Sequence, residues 1–347
     1  MKNLFRLIIA LPLLIVVVLV GFRIYAWTHE TKSAAALAPQ NGRFIKTEKG
    51  TVHVSIWGDE NDIPVVMTHG MAAWGGLWEE TARELANNNY RVIAIDQTPF
   101  GFSSRENSNY SRSEQAARLD ALVTAMDLKD YILIGHSYGG GVAMETALRY
   151  PEAMVALVLI SPVMVLPAIG EKITVASVPL PLRSSLIGEI LVSATITNPL
   201  LTRFLVKRFM HQKDALTDRH VEILQQPAGL KGNTANMVSW LRQFLAGDPN
   251  AISRDRQQLS SAKMPIALIW GEEDTITPIS QGEALEKILD PVSFARLPGI
   301  GHMPQLENPK VFNHVLSQSL REIQTLNTTI SPELRTTASP IRSEPKN

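Results

Sequence analysis

Residues 135–139 read Gly-His-Ser-Tyr-Gly, a G-x-S-x-G pattern between an apolar run at 131–134 and a helical pattern over 140–149. A serine on a sharp strand-to-helix turn projects its hydroxyl into a cleft. Flanking glycines let neighbouring backbone approach without a Cβ clash. The helix that follows aims backbone N–H groups at charge developing near Ser137. A serine hydroxyl attacks a carbonyl well only when a base takes its proton. Of the chain's eight histidines, His302 is the candidate base, because Gly301-His302-Met303-Pro304 follows a strand candidate at 293–297 and precedes the last helix. The base needs an acid to orient it. Asp274, just past the strand candidate 266–270, is the choice, with Glu272 and Glu273 as runners-up on the solvated turn.

Acyl transfer also needs donors for an oxyanion. The Tyr138 backbone N–H, next to the serine, is one candidate. The Met71 N–H, in the loop after strand candidate 65–68, is the other. Trp74, Trp78, Phe100 and Phe102 are candidates for an apolar substrate pocket, although core packing would equally account for them. His136 is expected to point away from the site, His69 to hydrogen-bond within its own loop, and Asp96 to form a turn. His29, His53, His211, His220 and His314 are assigned to solvent or packing. The chain has no cysteine and no H-E-x-x-H pattern, so no metal site is expected, and no cofactor.

These groups need a scaffold that brings three loops to one edge. Strand candidates at 52–57, 65–68, 91–96, 131–134, 155–160, 266–270 and 293–297 alternate with helical patterns at 77–87, 113–126, 142–149, 280–288 and 309–323. Several strand runs are apolar throughout, as strands covered on both faces are. The expectation is an α/β fold with a mostly parallel sheet covered by helices on both sides. Residues 42–161 and 263–322 form its core. Residues 162–262 break the alternation and read as an inserted helical lid, in which Leu200, Leu201, Phe204 and Leu205 make one apolar face beside Arg203, Lys207 and Arg208. That face suits packing on the main domain or contact with a membrane surface. Residues 323–347, rich in Thr, Ser and Pro, read as a disordered tail.

Residues 1–41 form an N-terminal anchor and linker. The stretch 7–22 has no charged residue and gives about 24 Å of helix. Snorkelling of Arg6 and Arg23 extends it towards the roughly 20 residues that a bilayer requires. Tyr25 and Trp27 then fall at an interface. Three readings compete: a single-pass signal anchor, a cleaved signal peptide ending near Ala36-Leu37-Ala38, and a buried core helix. The first leads, and Lys2 and Arg6 before the run put the catalytic part on the non-cytoplasmic side. Cleavage would instead release a secreted or periplasmic protein. The 33 basic and 33 acidic residues cancel, which gives no electrostatic case for nucleic acid. Charged residues are 19% of the 347, a low share that the apolar run helps to explain.

Taken together, the chain resembles the α/β-hydrolase superfamily. The resemblance is carried by His69-Gly70, the 96–103 run Asp-Gln-Thr-Pro-Phe-Gly-Phe-Ser, the 135–140 elbow, 271–274, and 299–304. The order Ser137, Asp274, His302 is the order of that superfamily's triad. The run 305–309 after His302 is similar to esterase- and lipase-like hydrolases and to the carbon–carbon hydrolases of meta-cleavage pathways. Gln97-Thr98 departs from the shorter turn of many relatives, which affects loop shape only. Ser137 argues against relatives with a carboxylate nucleophile, such as epoxide hydrolases and haloalkane dehalogenases. The resemblance implies a serine hydrolase that acts on a small acyl substrate, apolar by the aromatic candidates, with a carboxylic ester foremost. Carbon–carbon cleavage and cofactor-free haloperoxidase-like perhydrolysis are alternatives, and a non-catalytic ligand-binding protein is a more distant one.

Overall fold

The computed structural model describes residues 2–105, 108–164 and 177–335. Its centre is an eight-stranded sheet in the order β1-β2-β4-β3-β5-β6-β7-β8. The strands are β1 (Gly42–Thr47), β2 (Gly50–Trp57), β3 (Ile63–Thr68), β4 (Tyr90–Ile95), β5 (Tyr131–His136), β6 (Met154–Ile160), β7 (Ile266–Gly271) and β8 (Ser293–Leu297). β1, β2 and β4 pair antiparallel, and every pairing from β4 onward is parallel. The seven expected strands are all present. β1 is the addition: it lies at the sheet edge, where no position is fully buried and the apolar signal is weak.

The central strands are buried on both sides, and successive residues feed opposite cores. Val66, Leu133, Leu157 and Leu268 pack on one face, and Met67, Ile132, Ile134 and Val158 on the other. The helices, in chain order, are α1 (Lys2–His29), α2 (Ala34–Leu37), α3 (Glu79–Ala86), α4 (Arg112–Ala125), α5 (Tyr138–Arg149), α6 (Leu180–Arg183), α7 (Ser185–Ala194), α8 (Thr202–Lys207), α9 (Asp218–Gln225), α10 (Asn233–Ala246), α11 (Arg256–Leu259), α12 (Ile279–Leu289), α13 (Pro304–Glu307) and α14 (Pro309–Arg335). α4 starts on a Ser111 hydroxyl that accepts the Glu114 N–H, a side-chain N-cap.

α6 to α11 lie between β6 and β7 and, with short turns, form a cap over one sheet edge. Residues 165–176 of the expected lid are outside the described residues. The tail expectation needs correcting. α14 runs to Arg335, well past the expected boundary at 323. Phe312, Leu316, Leu320 and Ile323 form one buried seam that reaches that boundary. Gln324 then donates to the Tyr90 hydroxyl at 3.1 Å. Residues 336–347 are outside the described residues.

In α1, Ala10–His29 is long and apolar enough to cross a bilayer, and suits a membrane anchor or a signal sequence. Its side chains are largely uncovered, with Leu13 62% and Trp27 71% exposed, which contradicts a buried core helix.

Candidate active site

β5 ends at His136 and α5 begins at Tyr138, so Ser137 alone makes the turn. Its φ of 54° and ψ of −119° are costly for a residue with a Cβ, by about 1–3 kcal/mol. The surroundings hold it there. The Ser137 N–H donates to Ile160 O at 3.0 Å, and its carbonyl accepts the Gly140, Gly141 and Val163 N–H groups at 3.0, 3.2 and 2.8 Å. Gly139 is required by close approach: a Cβ there would stand 2.5 Å from both the His69 carbonyl oxygen and the Thr68 hydroxyl.

Because β5, β7 and β8 run parallel, their following loops meet at one edge. The structure brings the three candidate side chains together there, each 4% exposed or less. His302 Nε2 lies 2.8 Å from Ser137 Oγ, and His302 Nδ1 lies 2.7 Å from Asp274 Oδ2. Asp274 Oδ1 accepts the Ile276 and Thr277 N–H groups at 2.8 and 2.9 Å, and Oδ2 accepts the Thr277 hydroxyl at 2.8 Å. Burial raises the Asp274 carboxyl, but the His302 hydrogen bond and charge, with the Thr277 donors, outweigh it and hold the group below the usual carboxylate value. An ionised Asp274 keeps the imidazole proton on Nδ1 and turns the Nε2 lone pair towards Ser137. Glu272 and Glu273 sit exposed on the turn, as expected, with only their backbones tied down.

His136 turns away from the serine. Its Nε2–H donates to the His302 carbonyl at 2.8 Å, which ties the elbow to the backbone of the candidate base. Burial, helped by neighbouring His302, pushes the His136 pKa down to about 3, so the ring is neutral. His69 donates from Nδ1 to Gly70 O at 2.8 Å and accepts the Gln97 N–H at Nε2 at 3.0 Å, which fixes its loop. Asp96 is a turn organiser. Its carboxylate accepts the Gly75 and Phe102 N–H groups and His53 Nδ1–H, each at 2.8 Å. Burial lowers the His69 pKa as well.

One residue with a structural hold on the site was not singled out from sequence. Glu307 is 3% exposed, and its carboxylate accepts four backbone N–H groups. Gly301 and Met303 donate at 2.9 and 3.1 Å, on either side of His302. His211 and Gln212 of the cap donate at 2.9 and 2.8 Å. Its partners are all main chain, so no residue-type pattern announces it. The only available signal is an acidic residue five positions after the candidate base.

Above Ser137 lies a cavity of about 310 Å³, at the lower end of ligand-sized pockets, about 300–1,000 Å³. Met71 lies in its wall, and Tyr138 follows Ser137 directly. Among the described residues neither backbone N–H has a hydrogen-bond partner. Trp74, Trp78 and Phe100 line the cavity together with Ser137 and His302. Phe102 does not. It is 1% exposed behind that wall, edge-on to Trp74 at 5.1 Å and to His53 at 5.2 Å, where Asp96 holds its backbone. The core loops add His69 to Ala73, Leu77, Met303 and Gln305, and the cap supplies the opposite wall, notably Ile196, Leu205, Val206, Met237, Trp240 and Phe244. Trp240 closes edge-on against Phe100 at 4.9 Å and stacks on Phe244 at 5.0 Å. Among the described residues the lining contains no lysine, arginine, aspartate or glutamate.

A family described as alpha/beta hydrolase fold matches residues 63–309. The chain is 27% identical over 284 residues to a 2-hydroxy-6-oxononadienedioate/2-hydroxy-6-oxononatrienedioate hydrolase of Burkholderia vietnamiensis, covering 79% of this chain and 93% of that one. Among solved structures it is similar to a meta-cleavage product hydrolase from Pseudomonas fluorescens, with a TM-score of 0.65, 23% identity, and 81% and 98% of the two chains covered. It is also similar to a bacterial membrane phospholipase A, with a TM-score of 0.62, 23% identity, and 93% and 99% covered. The match over 63–309 spans the elbow, β7 and the loop after β8, and on that ground the chain belongs to the alpha/beta hydrolase fold family and is a hydrolase by fold.

Proposed function

We propose that this chain is a membrane-anchored serine hydrolase that cleaves a carboxylic ester of an apolar acid through an acyl-enzyme intermediate. One observation carries the reading: a continuous Ser137–His302–Asp274 hydrogen-bond chain, at 2.8 and 2.7 Å, on the floor of an apolar cavity. Ser137 Oγ attacks the ester carbonyl carbon while His302 Nε2 takes its proton, and Asp274 orients and stabilises the imidazolium. The carbonyl oxygen becomes an oxyanion facing the Met71 and Tyr138 N–H groups. Collapse breaks the bond to the alcohol oxygen, which leaves with the proton from His302. Water then gives a proton to His302 and attacks the acyl carbon. The second collapse releases the acid and returns the proton to Ser137.

The lining favours an ester over the carbon–carbon substrates named for the relatives. A dioate carries two carboxylates, and burying them without a cation is costly. The described lining offers no lysine or arginine. The proposed topology puts the N-terminus of α1 in the cytoplasm and the catalytic part on the other side, following Lys2 and Arg6 before the apolar run. The experiment is hydrolysis of nitrophenyl esters of graded chain length. The reading expects turnover that favours apolar acyl chains and vanishes in Ser137→Ala. Absence of turnover on every chain length, together with cleavage of a vinylogous diketone acid, would replace the ester assignment.

A further inference from the structure

Outside α1, the five most exposed large hydrophobic side chains among the described residues all belong to one stretch of the cap. They are Leu200 at 79%, Leu180 at 75%, Leu186 at 67%, Phe204 at 60% and Ile187 at 46%. Leu200 and Phe204 stand four residues apart, one turn along the segment that becomes α8. Basic residues Arg183, Arg203, Lys207 and Arg208 alternate with these apolar positions. Apolar side chains interleaved with lysine and arginine are the composition of a helix that lies in a membrane interface. Leaving so large an apolar surface in water is otherwise a liability.

The contacts of α1 say where this face lies. α1 packs along α7, Ala26 of α1 is buried, and Arg23 pairs with Glu189 of α7. Arg23 precedes Tyr25 and Trp27, the rings suited to the membrane boundary. A guanidinium at that depth requires a counter-charge, and α7 of the cap supplies it. Leu186 lies one turn before Glu189 on the same side of α7. The chain leaving α1 is strapped to the cap as well. The Glu30 carboxylate accepts the Thr234 N–H at 3.0 Å. The Lys32 N–H donates to Gly229 O at 3.0 Å, and the Lys231 N–H donates to Lys32 O at 2.9 Å. The cap therefore has no slack with which to leave the plane where α1 exits.

We propose that the α6–α8 face of the cap seats in the headgroup–acyl boundary of the bilayer beside α1, and that the enzyme draws a membrane-resident long-chain ester into its cavity from the lipid phase. This rests on the reading above, in which α1 is a retained span and Ser137 the nucleophile. The stretch that carries Leu200 and Phe204 outward also carries Pro199, Thr202, Leu205 and Val206, which line the cavity. One thin wall thus has lipid on one side and the acyl pocket on the other. An acyl chain that passes between two apolar phases avoids the cost of exposing its methylenes to water.

The absence of native cysteine makes the test clean, because a single introduced thiol carries the only label. Full-length Leu186→Cys, Leu200→Cys, Val16→Cys and Ile63→Cys proteins carry a fluorophore and are reconstituted in mixed phosphatidylcholine and phosphatidylglycerol vesicles whose acyl chains bear a nitroxide. Val16 reports the span; Ile63, at the start of β3, reports the strand ends opposite Ser137. The expected result is strong quenching at positions 16, 186 and 200 and none at 63. Quenching at 16 with none at 186 and 200 overturns the proposal and leaves the span and the triad standing. Energy transfer between labelled copies at 200 without quenching would assign the face to a second copy, which also overturns it. No quenching at 16 removes the span itself, and this proposal with it. A Leu186→Asp, Leu200→Asp double variant should lose about tenfold or more on a vesicle-embedded glycerolipid ester. It should stay within about twofold on a water-soluble short-chain nitrophenyl ester. Equal activity on both substrates contradicts the proposal.

Discussion

The floor of the cavity and its roof are built by different rules. The floor is the edge of a parallel sheet. Every residue of β5 is buried, Ser137 is held by four backbone hydrogen bonds, and each oxygen of Asp274 has at least one donor. Directional bonds of that kind fix atoms to within a fraction of an ångström. The roof is the cap, whose contribution to the lining is mostly aliphatic and aromatic, as in the Trp240–Phe244 stack, with Thr197, Thr202, Gln225 and Asn233 as its uncharged polar members. Dispersion and hydrophobic contact define a volume without fixing a single pose. On the proposed function the floor would set the reaction, and the roof the size and polarity of the molecule that undergoes it. The two meet at few polar points, among them Glu307, which holds both the His302 loop and residues 211 and 212 of the cap.

If that division is right, damage to the floor abolishes turnover on every substrate. His302→Ala should lower turnover on the order of 10⁶-fold, and Asp274→Asn about 10⁴-fold, because the amide reverses the imidazole tautomer. Steady-state rates on one short ester check both, and an Asp274→Asn enzyme of unchanged rate would remove Asp274 from the triad. Glu307→Ala tests the joint between the regions. It strands four backbone donors, at about 1–3 kcal/mol each when buried, so a loss on the order of 3 kcal/mol in unfolding free energy is expected after partial rescue by water. Glu307→Gln keeps one acceptor oxygen and should recover part of the stability while kcat falls more than KM changes. An equal loss in both would make Glu307 a cap residue only.

Damage to the roof should be selective. Val206→Trp fills cavity space and should cost about tenfold or more in kcat/KM for a long-chain ester. A short-chain ester should keep its rate within about threefold, because the floor is untouched. Loss on both esters would mean that the cap also sets the floor geometry. Stability should also respond to pH. His136 and His69 are buried and neutral, with folded pKa values below the ordinary 6.5. The unfolded chain therefore takes up protons first, so stability is full above about pH 6.5 and falls as pH drops below it, for His136 down to about pH 3, by at most about 1.4 kcal/mol per unit for each ring. Denaturation midpoints of the full-length protein in detergent at pH 7.5 and 5 check the sign.

Much of the floor was legible in the sequence because its parts are announced locally. Buried parallel strands read as unbroken apolar runs, and a strand–G-x-S-x-G–helix sequence has one good structural solution. β1 escaped notice because an edge strand with half its residues in water carries no such run. Phe102 was misplaced because aromatic type and nearness in sequence do not tell which side of a loop a ring occupies; the Asp96 bond to its backbone turns it inward. The end of α14 was misjudged on composition, although the buried seam reaches Ile323 and the helix runs on to Arg335. Glu307 entered only as part of the 305–309 run, and its role stayed unread because its partners are backbone groups. The roof stayed unread for a more general reason. Apolar residues on short helices can face core, cavity or lipid, and only the packed structure separates Leu205, in the cavity, from Leu200, outside it.

The whole reading turns on Ser137 being a nucleophile activated by His302. A fluorophosphonate reacts with activated serines and leaves a stable adduct. The full-length protein is treated with the reagent, digested, and its labelled peptide sequenced by mass spectrometry. The predicted result is one adduct on Ser137, absent in Ser137→Ala and lost in His302→Ala. No adduct on the wild-type chain, or an equal adduct in Ser137→Ala, would contradict it.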